Sequence, residues 1–331
     1  MLLSHVAFWV ALEFWLPRLR DPEYGRRLHA VRQLVAEGRG RSLVLVLGSS
    51  RVVMGLRPDV LADEPAAPIV FNAGRVGAGP LMQEILLRRY LAAGIRPAAV
   101  YIEIWPQLFN GREEERLERG RVRLSDLWAL RPGSADRGVL WADALATSFS
   151  SWADYRFELL YTVLPQWSGS ADRSQRQVRG WTWLNLDRRG WLPLAYAEFD
   201  RVPRSEIIGR MRGYYEPVLR DLVLDPQVEA DYRSLLRLCR ERGLSAALLY
   251  LPESSEFRAF YGQTTWDRFE ALVGQLRDEF VVPLIDGRLV VDDAALPDGH
   301  HLSPRGAATF TQWFGRAVLG QPGGGRVPPG K

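Results

Sequence analysis

Cysteine is almost missing. Cys239 stands alone among 331 residues, so no intrachain disulfide framework can form. Lysine is as scarce, Lys331 being the only one, and the basic complement is nearly all arginine. The net charge is only +4. No basic run interleaved with aromatics appears, so the chain lacks the electrostatic footprint of a nucleic-acid binder. No Cys/His cluster has metal-ligand spacing, and Gly74-x-x-Gly77 lacks the lysine and spacing of a phosphate loop. Neither a metal nor an organic cofactor is therefore expected. The apolar run at residues 2–16 is shorter than the roughly 20 residues that cross a bilayer, and Glu13 interrupts it. No basic region precedes it, and no small-residue cleavage site follows. It reads as the remnant of a signal anchor, as an interfacial helix with Trp9 and Trp15 at the lipid boundary, or as an amphipathic helix packed on the domain.

What the chain does have is apolar content, 47%, enough for one large core. Leu43-Val44-Leu45-Val46-Leu47 is a five-residue apolar run of the kind that forms a strand buried on both faces. Ile69-Val70-Phe71-Asn72 and residues 99–104, 246–251 and 281–285 repeat the pattern. Between them lie helical stretches opened by Asp21-Pro22, by Pro80, near 226 and near 264, and a last one after Ser303-Pro304. Strands alternating with helices imply an α/β fold, a three-layer α/β/α sandwich around a mostly parallel, flavodoxin-like sheet.

The first strand ends in Gly48-Ser49-Ser50-Arg51. Ligands of open α/β sheets sit beyond the carboxyl ends of the strands, and Gly48 is read as the sharp turn that projects the Ser50 oxygen there. A serine needs a base to act as a nucleophile. Only four histidines exist. His5 lies in the N-terminal run and His29 in a helical pattern. The others follow Asp298 in Asp298-Gly299-His300-His301. A carboxylate three positions before His301 can orient its ring. Elimination pairs Ser50 with His301, leaving His300 as a solvated neighbour.

An early Gly-x-Ser after the first strand and a late Asp-x-x-His before the last helix resemble the SGNH (GDSL-type) hydrolases. The closest resemblance is to a divergent bacterial branch reading Gly-Ser-Ser-Arg, similar to membrane-associated proteins that handle acyl groups on envelope polymers. It covers residues 40–110 and 226–320. It implies Ser50, His301 and Asp298 as catalytic residues. The oxyanion would be held by the N–H groups of Ser50 and Gly77, within Asn72-Ala73-Gly74-Arg75-Val76-Gly77, and by Gln107, which stands where the family has asparagine. Asn110 is the alternative donor, and Ser49 stands where the family usually has aspartate. The implied activity is that of a serine esterase or O-acyltransferase acting on acyl esters of cell-envelope carbohydrate, tethered at the extracytoplasmic, periplasmic face of a membrane. The rival is a non-catalytic envelope-binding or assembly protein on a degenerate scaffold. A third reading is a lipid-active esterase held at the bilayer.

The expected organisation is an N-terminal apolar segment (1–20), a core made of 21–110 and 226–320, an insertion or lid (111–225) and a Gly/Pro-rich disordered tail (321–331). The insertion is helical and rich in tryptophan (Trp128, Trp141, Trp152, Trp167, Trp181, Trp183, Trp191), most of which are expected to build its own small core. Trp181 and Trp183, spaced like one face of a strand, are candidate carbohydrate contacts. Arg51, Asn110 and Glu253 at the carboxyl edge are further candidate substrate contacts, and Glu253 has the alternative of pairing with Arg51.

Overall fold

Five strands lie parallel in the order β2-β1-β3-β4-β5. They are β1 (Leu43–Leu47), β2 (Ile69–Asn72), β3 (Ala99–Glu103), β4 (Ser245–Tyr250) and β5 (Leu284–Asp286). The computed structural model describes residues 10–11, 21–38, 40–61, 67–110, 122, 124–130, 185–194, 199 and 201–320. The N-terminal segment, apart from Val10 and Ala11, and the tail, Trp181 and Trp183 lie outside the described residues. No helix among the described residues is long and apolar enough to cross a membrane.

The side chains of β1 show how the layers arise. Successive residues of a strand point to opposite faces. Leu43, Leu45 and Leu47 enter one core with residues of the helices α1 (Pro22–Glu37), α3 (Pro80–Ala92), α6 (Pro226–Glu241) and α8 (Gln263–Phe280). Val44 and Val46 enter the other, with Val52 of α2 (Ser50–Gly55) and Phe310 and Phe314 of α9 (Pro304–Ala317). The sheet is thus covered on both faces, which is why β1 is apolar throughout instead of alternating. The helix starts follow the sequence closely. Asp21 and Asp225 each accept a backbone N–H two or three residues on, with proline at the first helical position. Ser303 caps α9 in the same way.

Two short helices, α4 (Leu124–Ala129) and α7 (Ser255–Arg258), and a longer one, α5 (Arg204–Leu219), complete the frame. Within 111–225, residues 185–194 lie against the β2 edge. Arg189 O accepts from Asn72 N at 2.9 Å, and Leu192 N donates to Val53 O at 3.1 Å. Trp191 is anchored on the core, not on an insertion core of its own. Its Nε1 donates to Met54 O at 2.8 Å, and Arg57 lies over its ring.

Direction along the sheet reverses between β1 and β3, because β2 lies to one side of β1 and β3 to the other. Crevices open at such switch points, outside the carboxyl ends. Ser50 begins α2 immediately after β1, at that place.

Candidate active site

Ser49 caps α2, its Oγ accepting from Arg51 N at 3.3 Å, so Ser50 is the first helical residue. The role of Gly48 differs from the turn read in the sequence. A Cβ there would lie 2.3 Å from Val52 Cγ2 and 2.5 Å from Glu103 Oε2. Glycine is needed for room, since φ at this position is not positive.

The loop between β5 and α9 delivers the other partners. Ser50 Oγ and His301 Nε2 are 2.8 Å apart. His301 Nδ1 and Asp298 Oδ2 are 2.7 Å apart. The second carboxylate oxygen of Asp298 accepts the backbone N–H groups of His300 and His301, at 3.1 and 2.8 Å. Gly299 turns between them at φ 91°. Burial alone would push the Asp298 carboxyl up. The facing His300 and His301 and the N–H donors outweigh it and hold the group well below the usual carboxylate range. Asp298 Oδ2 thus faces one ring nitrogen of His301 and Ser50 Oγ the other.

His300 is not the solvated neighbour expected. It is 4% exposed, stacked on Trp105 and bordered by Phe257 and Tyr215. Burial pushes its imidazole down to about 3, against the raising effect of Asp298, so the ring is neutral at neutral pH. A histidine depressed in the fold and ordinary when unfolded stabilises the protein fully above its unfolded value, near 6.5. That stability drains as pH falls towards about 3, because only the unfolded chain takes up the proton. Between pH 7 and pH 4 the loss is about 3 kcal/mol. Urea unfolding of wild type and His300→Phe at the two pH values checks this. The variant is expected to lose markedly less stability on acidification.

Two expected substrate contacts are buried instead. Arg51 is 2% exposed. Its guanidinium donates to the carbonyls of His300 (3.3 Å), Leu251 (3.0 Å) and Pro252 (3.0 Å). It also lies 3.5 Å from Glu103 Oε1, 3.8 Å from Glu253 Oε1 and 4.4 Å above the Trp105 ring. Glu253, likewise 2% exposed, accepts from Trp105 Nε1 at 2.6 Å and from Tyr261 OH at 2.7 Å. The alternative pairing of Glu253 with Arg51 is the one the structure contains.

The sequence reading overlooked Glu103, Trp105, Tyr215 and Tyr261. Glu103 Oε2 accepts from Ser49 N at 2.6 Å, and burial raises its carboxyl despite Arg51. A charged residue in the apolar run of β3 was the signal available. The hydroxyl of Tyr215, on α5, lies 3.5 Å from His300 Nε2, so the end of the insertion does reach the site.

The loop carrying Gly77 is tied to the Ser50 turn. Arg75 N donates to Gly48 O at 2.8 Å, and Asn72 Nδ2 reaches the carbonyls of Val52 and Val53 in α2 and of Leu56 just after it. Gly77 itself has φ 73°, a conformation that suits glycine. The Arg75 side chain enters a buried cluster. Arg75 and Arg89 both contact Asp21 Oδ2 at 2.8 Å, and Arg89 holds Asp126 with two nitrogens. Gln107 lies in the 3-10 turn Pro106–Phe109 after β3 and is buried. Its Oε1 has no hydrogen-bond partner among the described residues. Asn110, half-buried, follows that turn and donates its backbone N–H to Gln107 O. Ligand-type atoms of Asp298, His300 and His301 fall within 4.8 Å of one another. Both His301 nitrogens are engaged, by Asp298 and Ser50, so the grouping is accounted for without a metal.

No protein-family model matches the chain, and no curated protein matches it in sequence. Among solved structures, it is similar to a catalytic mutant of Axe2, an acetylxylan esterase from Geobacillus stearothermophilus. That match has 13% identity and a TM-score of 0.35, covering 83% of this chain and 93% of the other. Another Axe2 variant matches at 14% identity with the same TM-score and the same coverage of both chains. Likeness at this level leaves the chemistry to the site itself.

Proposed function

We propose that this chain is a serine esterase of the SGNH (GDSL-type) kind, cleaving acyl esters on carbohydrate hydroxyls. The observation that carries the reading is the run of contacts from Ser50 through His301 to Asp298, with a buried carboxylate at its end. Ser50 Oγ attacks the ester carbonyl carbon while His301 Nε2 takes its proton. The carbonyl oxygen becomes the oxyanion, held by the N–H groups of Ser50 and Gly77 and by the Gln107 amide. Each such donor is worth about 3 kcal/mol of barrier. Collapse breaks the bond to the sugar oxygen, which leaves with the proton from His301. Water, activated by the same imidazole, then releases the acid from Ser50. Asp298 stays ionised throughout and stabilises the imidazolium.

A sugar hydroxyl in place of that water would make the same acyl-enzyme a transferase. Detection of acylated acceptor rather than free acid discriminates the two. The resemblance behind the carbohydrate substrate also implies an extracytoplasmic, membrane-proximal location, with residues 2–16 as the tether. The non-catalytic rival requires a Ser50–His301 gap too wide for proton transfer, and 2.8 Å weighs against it. In the deciding experiment the purified chain is incubated with a fluorophosphonate probe and with acetylated xylo-oligosaccharides. Labelling at Ser50 and release of acetate are expected. A folded protein that does neither overturns the reading.

A further inference from the structure

We propose that Arg51 is a positioning residue that sets the register between Ser50 and His301, and this rests on the esterase reading above. The guanidinium stands directly behind the serine in sequence but points away from the crevice into the protein. There it meets the ends of two neighbouring strands and the loop that carries the imidazole. Its Nη2 bridges the Leu251 and Pro252 carbonyls just after β4. Its Nη1 faces Glu103 at the end of β3. Its Nε reaches the carbonyl of His300, the residue joined to His301.

Ser50 and His301 are 251 positions apart, and one planar cation links the segments bearing them. The Ser49 N–H on Glu103 Oε2 closes the arrangement from the serine side. Glu103 thus holds the backbone before the nucleophile and the cation after it. Trp105 stacks on His300 and lies under the Arg51 guanidinium, and Glu253 holds the Trp105 N–H. Carbonyl acceptors spread in a plane suit a guanidinium fork. A lysine ammonium is a point charge and cannot serve them together.

A misplacement of about 1 Å can cost 10²-fold in rate. For Arg51→Lys the expected result is a folded protein whose kcat on an aryl acetate falls about 100-fold. KM is expected to stay within about twofold of wild type, because no substrate contact is lost. Fluorophosphonate labelling of Ser50 slows in parallel. The downfield proton resonance of His301 Nδ1–H broadens or moves while the melting temperature stays close to wild type. A kcat and labelling rate equal to wild type in a folded Arg51→Lys overturn the proposal, as does a loss carried by KM alone.

Should Arg51→Lys fail to fold, Glu103→Gln provides the second test. It keeps an acceptor for Ser49 N–H and removes the anion beside Arg51. It is expected to lower kcat about tenfold at unchanged KM, and an unchanged kcat would then count against the proposal. If wild type neither labels nor turns over, the esterase reading itself has failed. If wild type is active and the variants match it, only the positioning role has failed.

Discussion

Ser50→Ala and His301→Ala are each expected to lower kcat on an activated ester by about 10⁶-fold, and the double variant by no more than either alone. The serine has no use without the base, and the base without the serine has only water to activate. The Ser50 Oγ to His301 Nε2 contact of 2.8 Å joins them into one unit. KM is expected to change little, since neither group binds the ground state. Ser50→Ala should leave the melting temperature near wild type, whereas His301→Ala removes the ring beside the buried Asp298 carboxylate and should lower it. Steady-state kinetics on the three variants, with the probe as a titrant of live sites, measures this. Additive losses in the double variant would mean that the two residues act separately.

Asp298→Asn should cost about 10⁴-fold in kcat with the fold intact. The carboxamide oxygen can keep the N–H groups of His300 and His301 that Oδ1 now accepts. Its NH₂ then faces His301 Nδ1, where Asp298 Oδ2 stands at 2.7 Å. A donor there demands an unprotonated Nδ1, which moves the ring proton to Nε2. The imidazole then offers Ser50 a hydrogen instead of a lone pair. Nitrogen chemical shifts of His301 should report the exchanged tautomer. Retained activity above a tenth of wild type would show that Asp298 is only a loop brace.

Much of the fold was legible because its causes are local. A five-residue apolar run such as Leu43–Leu47, closed by Gly48, is short for a helix and fits a strand buried on both sides. Proline after aspartate or serine at positions 22, 226 and 304 marks helix starts that depend on nothing distant. The proximity of Ser50, Asp298 and His301 was legible for a different reason. Histidine is rare in this chain, so few pairings needed weighing. The burial of Arg51 and Glu253 was not legible. The acceptors of Arg51 are mostly backbone carbonyls about 200 or more positions away, and a carbonyl leaves no mark in a sequence. His300 was misjudged likewise, since Trp105, Phe257 and Tyr215 come from three separate stretches. The room that Gly48 provides is defined by Glu103, on another strand.

The order in which the parts leave the ribosome follows from the same layout. The Ser50 hydroxyl emerges early, at the start of α2, and the imidazole that faces it comes only with the loop before the final helix. Every partial chain that stops short of position 298 therefore carries an idle hydroxyl. On the proposed esterase reading, synthesis keeps that chemistry switched off until almost the whole of the described domain has been made.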